Sequence, residues 1–391
     1  MCCDLAARKT QIARVVVRPV PANGSDDSPK VPPRLLVLGS VAYDVIMRFP
    51  DSFFRHVDVH PEMGRVNAAL TVTERHARFG GTAGNIAYNL GLLGVPHAVA
   101  SSVGRDFEDL GYSDHFLSTT RTLLLDVHED EHTATCYVVN DSTNNQLIVF
   151  HEGASRLGVN LDLDARLDDP ECSGIELATN SVQNPVAMVK FADVLHERRI
   201  PFAFDPGQVV RAFNQETLED VLSKAAYLFV NEHEFHAMAS ILGFIDAGGR
   251  AANAGPQERN DAAPTATSDE PLAGSPVGRA AAEEMCRLVP VVVVTRGAEG
   301  AEVHVRGKGV VKVPASRPRA VVETTGAGDG FRAGFLAAIL AGADPVDATR
   351  LGNVVASFVV ETEGAQTQKY GPEEVRARYD RDHGGNAPLP K

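Results

Sequence analysis

Between Glu323 and Phe335 the chain reads Glu-Thr-Thr-Gly-Ala-Gly-Asp-Gly-Phe-Arg-Ala-Gly-Phe. A Gly326-Ala327-Gly328 turn feeds a small-residue helix that carries one carboxylate, Asp329, in its first turn. Glycines allow positive φ and close backbone approach, and the amides at a helix start point toward an anion. Such a loop can stabilise charge building on a transferring phosphoryl group. A carboxylate beside it can take the proton of an attacking hydroxyl. The bland alternative is a tight strand–helix turn whose carboxylate compensates the helix dipole, and a short glycine motif alone does not separate the two.

Two further stretches have polar groups where a ligand would need them. Gly80-Gly81-Thr82-Ala83-Gly84-Asn85 opens a helix and can present backbone and a side-chain amide to hydroxyls. Asn231-Glu232-His233-Glu234 follows an apolar run, which puts it at the carboxyl edge of a sheet, where α/β proteins bind ligands. Taken singly, each also fits an ordinary helix cap.

The elements that must hold these groups alternate. Strand-like runs are Leu35–Leu38, His97–Val103, Ile175–Thr179, Phe202–Phe204, Ala226–Val230 and Val291–Thr295. Helix-like runs at Asn85–Leu93, Val186–His196 and Asn231–Leu242 lie between several of them. Alternating βαβ units predict a three-layer α/β/α sandwich with a mostly parallel central sheet. Val41–Phe79 and Arg121–His151 break the rhythm with alternating β-branched and aromatic residues, and read as antiparallel strands of a small β-lid. Residues 1–33 read as a flexible extension and 378–391 as a tail, around a domain at 34–377. The Ala-, Gly-, Pro- and charge-rich stretch at about 246–277 reads as a disordered surface insertion.

Composition excludes some partners. The formal net charge is −14, so nucleic acid and anionic membrane are poor partners, whereas local backbone amides and a metal ion can still hold a nucleotide. No stretch approaches 18 apolar residues and the N-terminus lacks a signal-peptide pattern. The five cysteines form no C-x₂-C pairs, which indicates neither a zinc site nor a disulfide framework and suits a reducing cytoplasm. His128 and His132 stand four apart but in an acidic, strand-like stretch, which argues against a helical metal pair.

The three motifs together, in this order and spacing, resemble the ribokinase/PfkB family of carbohydrate and nucleoside kinases, from about Arg34 to Pro372. The family's first signature matches Gly80, Gly81 and Asn85, and its second matches Thr324 to Phe335. Gly39-Ser40 with Asp44, the N-x-x-E motif at Asn231 and Glu234, and the T-x-G at Thr295 and Gly297 match as well. Phe204-Asp205-Pro206-Gly207-Gln208, Asn144-Asn145-Gln146 and Phe150-His151-x-Gly153-Ala154 look most like the prokaryotic adenosine and nucleoside kinases.

The resemblance implies roles. Asp329 would be the base for a 5′-hydroxyl, with the amides of Gly326, Ala327 and Gly328 as the anion hole. Asp44, Gly80, Gly81 and Asn85 would hold the ribose. Asn231 and Glu234 would position ATP and, through water, Mg²⁺, which keeps much of its hydration shell. Thr295 and Gly297 would line the adenine side. It also implies a small-molecule enzyme acting as monomer or homodimer. Glu323 stands where the family usually has Asp, so a K⁺ site there is implied with an altered ligand. The alternatives are a kinase of ribose, fructose or a sugar phosphate, for which Arg48, Arg55 and Arg65 would supply charge, and a catalytically silent nucleoside-binding regulator.

The insertion lacks the apolar surface that would offset chain entropy. Removing residues 248–274 and closing with a short Gly/Ser link should leave turnover and the thermal midpoint nearly unchanged. A thermal scan that shows collapse of stability would mean that the segment packs.

Overall fold

The computed structural model describes residues 13–16, 31–60, 65–120, 122–143, 145–246 and 275–390. The strands are β1 (Ala13–Val16), β2 (Leu35–Leu38), β3 (Ala42–Arg48), β4 (Val57–His60), β5 (Arg65–Ala68), β6 (Glu74–Gly80), β7 (His97–Gly104) and β8 (Thr122–His128). They continue as β9 (Ala134–Asn140), β10 (Gln146–His151), β11 (Leu177–Asn180), β12 (Phe202–Phe204), β13 (Tyr227–Asn231), β14 (Val291–Thr295), β15 (Ala301–Val305) and β16 (Gly309–Val313). The longer helices are α1 (Thr82–Leu92), α2 (Pro185–Glu197), α3 (Gln215–Lys224), α4 (Glu232–Ile241), α5 (Pro276–Leu288), α6 (Ala327–Leu340), α7 (Pro345–Val359) and α8 (Pro372–His383).

The main sheet runs β1-β8-β7-β2-β11-β12-β13-β14-β15-β16. From β8 to β14 every neighbouring pair is parallel, and antiparallel strands close both edges. Continuous apolar runs such as Leu35–Leu38 and Val291–Val294 form its centre because both faces are covered. The period of two then sorts the side chains between two layers. Leu35, Val37, Val291 and Val293 pack with Ile86 and Leu90 of α1, Phe331 and Phe335 of α6, and Val355 of α7. Leu36, Leu38, Val292 and Val294 face Phe191 of α2, Leu222 of α3, Phe235 of α4 and Met285 of α5. The expected three-layer sandwich is present.

The second sheet, β10-β9-β3-β6, is the lid, and β4 and β5 form a separate ribbon. Its register puts Asp44 of β3 opposite Arg78 of β6 and Cys136 of β9.

Four sequence expectations need correction. Thr122–His128 is not in the lid: its Leu123-Leu124-Leu125 core lies in the main sheet, parallel to β7. The lid is not wholly antiparallel, because β3 and β9 are parallel. Part of the N-terminal extension is ordered, since Ala13–Val16 pairs with β8, as its two β-branched valines favour. The presumed tail begins inside α8, whose Val375 and Tyr379 face the core one helical turn apart. His128 is buried on β8 while His132 lies in the following loop, bonded to Asp106 at 3.2 Å, so they share no helix face. The β15–β16 hairpin was not read from the sequence, and residues 247–274 of the insertion lie outside the described set.

Candidate active site

Most helices start on side-chain caps: Asn184 for α2, Asn214 for α3, Asn231 for α4, Ser275 for α5 and Asp344 for α7. The two that flank the cleft do not. Helices α1 and α6 start on Gly81 (φ 83°) and Gly326 (φ 78°), conformations that side chains resist. A Cβ on Gly81 would also meet Ala42 N and Ser40 O at 2.6 Å, and one on Gly80 would run into the Asp44 carboxylate. Ser40 satisfies the start of α1, its Oγ accepting from Thr82 N at 3.2 Å and its carbonyl from Ala83 N at 2.9 Å. At α6 the Ala327 amide turns back to Thr324 O at 3.2 Å, a long turn contact. An anion at this helix start therefore meets the Gly326 and Gly328 amides first and competes with the turn for Ala327.

The two helix starts meet through one hydrogen bond. Asn85 Nδ2 donates to Asp329 Oδ2 at 2.7 Å, across 244 residues of sequence. Packing around Asp329 strips it of water and pushes its pKa up to about 7. The Arg332 guanidinium and the Asn85 amide oppose that rise, while the charges of Asp205 and Asp44 add to it. Asp44 is likewise raised to about 6, by burial and then by the Glu323 carboxylate. Both groups titrate near neutrality, as general bases and ligand carboxylates in clefts do. Asn85 Oδ1 accepts from Gln366 Nε2 at 2.9 Å, so only the NH₂ end of Asn85 faces Asp329.

One turn beyond Asp329, Arg332 forms a buried ion pair with Asp205, Nη2–Oδ1 at 2.6 Å and Nε–Oδ2 at 2.5 Å. Burial raises the Asp205 pKa and the guanidinium opposes that rise, while for Arg332 the charges of Asp205 and Asp329 outweigh its burial; Nη2–Oδ1 is the hydrogen bond of the pair and Nε–Oδ2 a close ion contact. Gly328 stands where a Cβ would come within 2.6 Å of Arg332 Nη1. Asp205 also raises the pKa of Glu234, after burial, which brings the N-x-x-E segment into the same electrostatic field.

Glu234 and Asn231 form a capping box, Asn231 N to Glu234 Oε2 at 2.8 Å and Glu234 N to Asn231 Oδ1 at 2.9 Å. Glu234 Oε1 is outside that box. A carboxylate made costly by burial and a like charge gains from a nearby cation, so the donor chemistry fits a hydrated divalent ion. Among the described residues no three His, Cys, Asp or Glu side chains form a metal cage. Thr295 is in register with Asn231 across β13 and β14, and Gly297 follows with φ 52°. Glu323 Oε2 accepts from Gly364 N at 2.8 Å, joining the start of the glycine motif to the loop after α7.

Of the expected residues, Asn231 and Thr295 end the parallel strands β13 and β14, Asp44 and Gly80 lie on the lid strands β3 and β6, and Asn85 and Asp329 stand in the first turns of α1 and α6. Sequence reasoning assigned no role to Arg332, Asp205, Gln366, Tyr112 or His115. Arg332 carried a signal, as the lone cation in the helix Ala327–Leu340, whose other residues besides Asp329 are apolar or glycine. Asp205 directly follows a buried strand at the edge where α/β ligands bind.

Residues 33–370 match the family model described as pfkB family carbohydrate kinase. The chain is 30% identical to a nucleoside kinase of Methanothermobacter thermautotrophicus, over 91% of this chain and 98% of that one. It is 26% identical to a nucleoside kinase of Methanocaldococcus jannaschii, over 85% of this chain and 92% of that one. Among solved structures, Burkholderia thailandensis nucleoside kinase in complex with inosine matches with a TM-score of 0.70 at 28% identity, covering 90% of this chain and 99% of that one.

Removing one partner of a buried ion pair leaves an uncompensated charge. Arg332→Met should therefore lower unfolding free energy by about 3–5 kcal/mol, while Asp205→Leu/Arg332→Met should recover most of that. Urea midpoints test this; a single variant as stable as the parent would show that the pair is not coupled.

Proposed function

Because this chain belongs to the pfkB carbohydrate kinase family, a family of phosphotransferases with hydroxyl acceptors, we propose that it moves the γ-phosphate of ATP onto the 5′-hydroxyl of a ribonucleoside, adenosine favoured. The observation that carries this reading is the 2.7 Å contact between Asn85 and Asp329, which joins a sugar-side helix to the helix start best suited to an anion. The full-length likeness to nucleoside kinases supports a nucleoside over a free sugar.

In the proposed mechanism Asp44 accepts hydrogen bonds from adjacent ribose hydroxyls, and the second Nδ2 hydrogen of Asn85 is available to the same diol. Gly80 and Gly81 let the sugar lie against backbone. Asn85 occupies Oδ2 of Asp329, leaving Oδ1 to take the 5′-hydroxyl proton. The oxygen then bonds to the γ-phosphorus as the bond to the β–γ bridging oxygen breaks, releasing ADP. The amides of Gly326, Ala327 and Gly328 stabilise the charge on the transferring group. A base near pKa 7 loses its proton afterwards without a large barrier. Thr295 and Gly297 receive the adenine side of ATP. Asn231 and Glu234 would hold Mg²⁺ through water, and its chemistry there is to offset phosphate charge. Glu323 would hold K⁺, and a cation beside it would ease the charge that it imposes on Asp44.

Asp329→Asn should lower kcat by roughly 10²–10⁴ while changing nucleoside affinity little. The base works only when ionised and its pKa is raised, so kcat/KM of the parent should fall below about pH 7, while above it the base is competent. A steady-state profile flat from pH 5 to 8, or an Asp329→Asn variant with half the parental kcat, contradicts the assignment.

A site built around buried polar groups rejects an analogue that leaves them unpaired. Adenosine should therefore be at least about tenfold better in kcat/KM than 2′-deoxyadenosine. Asp44→Ala should largely erase that preference and lower overall activity. Turnover of ribose or fructose with no nucleoside turning over would favour the sugar kinase instead.

A further inference from the structure

An amide side chain has two ends of nearly equal shape, and its neighbours decide which one faces where. That choice matters at Asn85. Its NH₂ end favours an ionised Asp329, whereas its carbonyl end would demand a proton on Asp329. The neighbours make a chain with one consistent reading. Tyr112 Oη is fully buried and donates to Gly80 O at 2.5 Å, so it can only accept from Gln366 Nε2, at 2.8 Å. The other hydrogen of that amide goes to Asn85 Oδ1 at 2.9 Å. Gln366 Oε1 is left to accept from His115 Nε2 at 2.9 Å, which fixes the proton of His115 on Nε2. The imidazole cannot swing away, because it is stacked on the rings of Phe79 and Tyr88, centroids 4.3 and 5.2 Å distant. Gly84 keeps the space open: a Cβ there would lie 2.8 Å from Gln366 Nε2 and would also strike Tyr112 Oη.

We propose that Gln366, buried behind Asn85 and making no contact with Asp329 itself, is a positioning residue that holds the NH₂ end of Asn85 toward Asp329, with Tyr112 and His115 fixing Gln366 in turn. The proposal rests on the reading of Asp329 as the base. It also accounts for a Gly-Gly-x-x-Gly-Asn motif whose last glycine otherwise has no role at the cleft. A turned Asn85 would set its carbonyl against the carboxylate and favour the protonated, inactive form.

The other charges that face Asp329 are Arg332 on its own helix, Asp205 after β12 and Asp44 on β3, and none of them touches Gln366. The Asn85 bond favours the ionised base, so loosening it raises the pKa and moves the acid limb of activity to higher pH. The test is Gln366→Met, which keeps the length and removes both the donor and the acceptor without adding charge. Titration of the Asp329 carboxyl by carbon-13 NMR in the unliganded protein should show a rise of about one pH unit, and the acid limb of kcat/KM should move with it. Tyr112→Phe, which deletes one hydroxyl, should shift both in the same direction by less, and serves if the Met variant fails to fold. A folded variant whose Asp329 titrates as in the parent overturns the proposal, whatever its thermal midpoint. The two readings fail separately: full activity of Asp329→Asn would remove the base, whereas an unmoved NMR titration would remove only the positioning role.

Discussion

The structure turns on the cost of holding the Asp329 carboxylate away from water. Burial alone would keep it protonated, and two groups oppose that: the Asn85 amide at 2.7 Å and the Arg332 guanidinium one turn along its helix. Neither is free to leave. Arg332 is tied to buried Asp205, and Asn85 is tied to Gln366. The balance leaves the carboxyl near pKa 7, where it can both accept a proton and lose it.

The architecture follows from keeping those partners in place. Asp205, Asn231 and Thr295 sit at the ends of adjacent parallel strands β12, β13 and β14, so the sheet sets their spacing. Helices α1 and α6 must approach closely with open starts, and positive-φ glycines rather than side-chain caps begin both. The lid then brings Asp44 over Gly80, where any larger residue would collide with the carboxylate. The glycines of the two motifs thus serve approach and turn geometry as much as amide presentation.

Much of this was legible in the sequence, for physical reasons. Buried parallel strands announce themselves as apolar runs, and the carboxyl edge of such a sheet is where polar residues after a strand become ligands. That signal marks the Asn231–Glu234 segment, whereas Asp329 and Asn85 show through glycine-rich helix starts and Asp44 through the family resemblance. What escaped notice depends on contacts across long sequence separations. Gln366 lies in the loop Gly364-Ala-Gln-Thr, where nothing local distinguishes it, and it meets Asn85 only because α7 returns the chain to the start of α1. Thr122–His128 is hidden by the alternating strands that follow it, although its own continuous Leu123-Leu124-Leu125 run is the pattern of a strand buried on both faces, as it is in the main sheet. Four residues of the N-terminal extension join an edge strand whose partner no local pattern reveals.

The central claim is that this cleft transfers phosphate to a primary hydroxyl chosen by its attached ribose. Incubating the protein with adenosine, ATP and Mg²⁺ and following the products by phosphorus-31 NMR tests it most directly. The account predicts one adenosine 5′-monophosphate for each ADP, with the new phosphorus coupled to the two 5′-methylene protons. ADP released without a nucleoside phosphate, or a phosphate on the 2′- or 3′-oxygen, would contradict it.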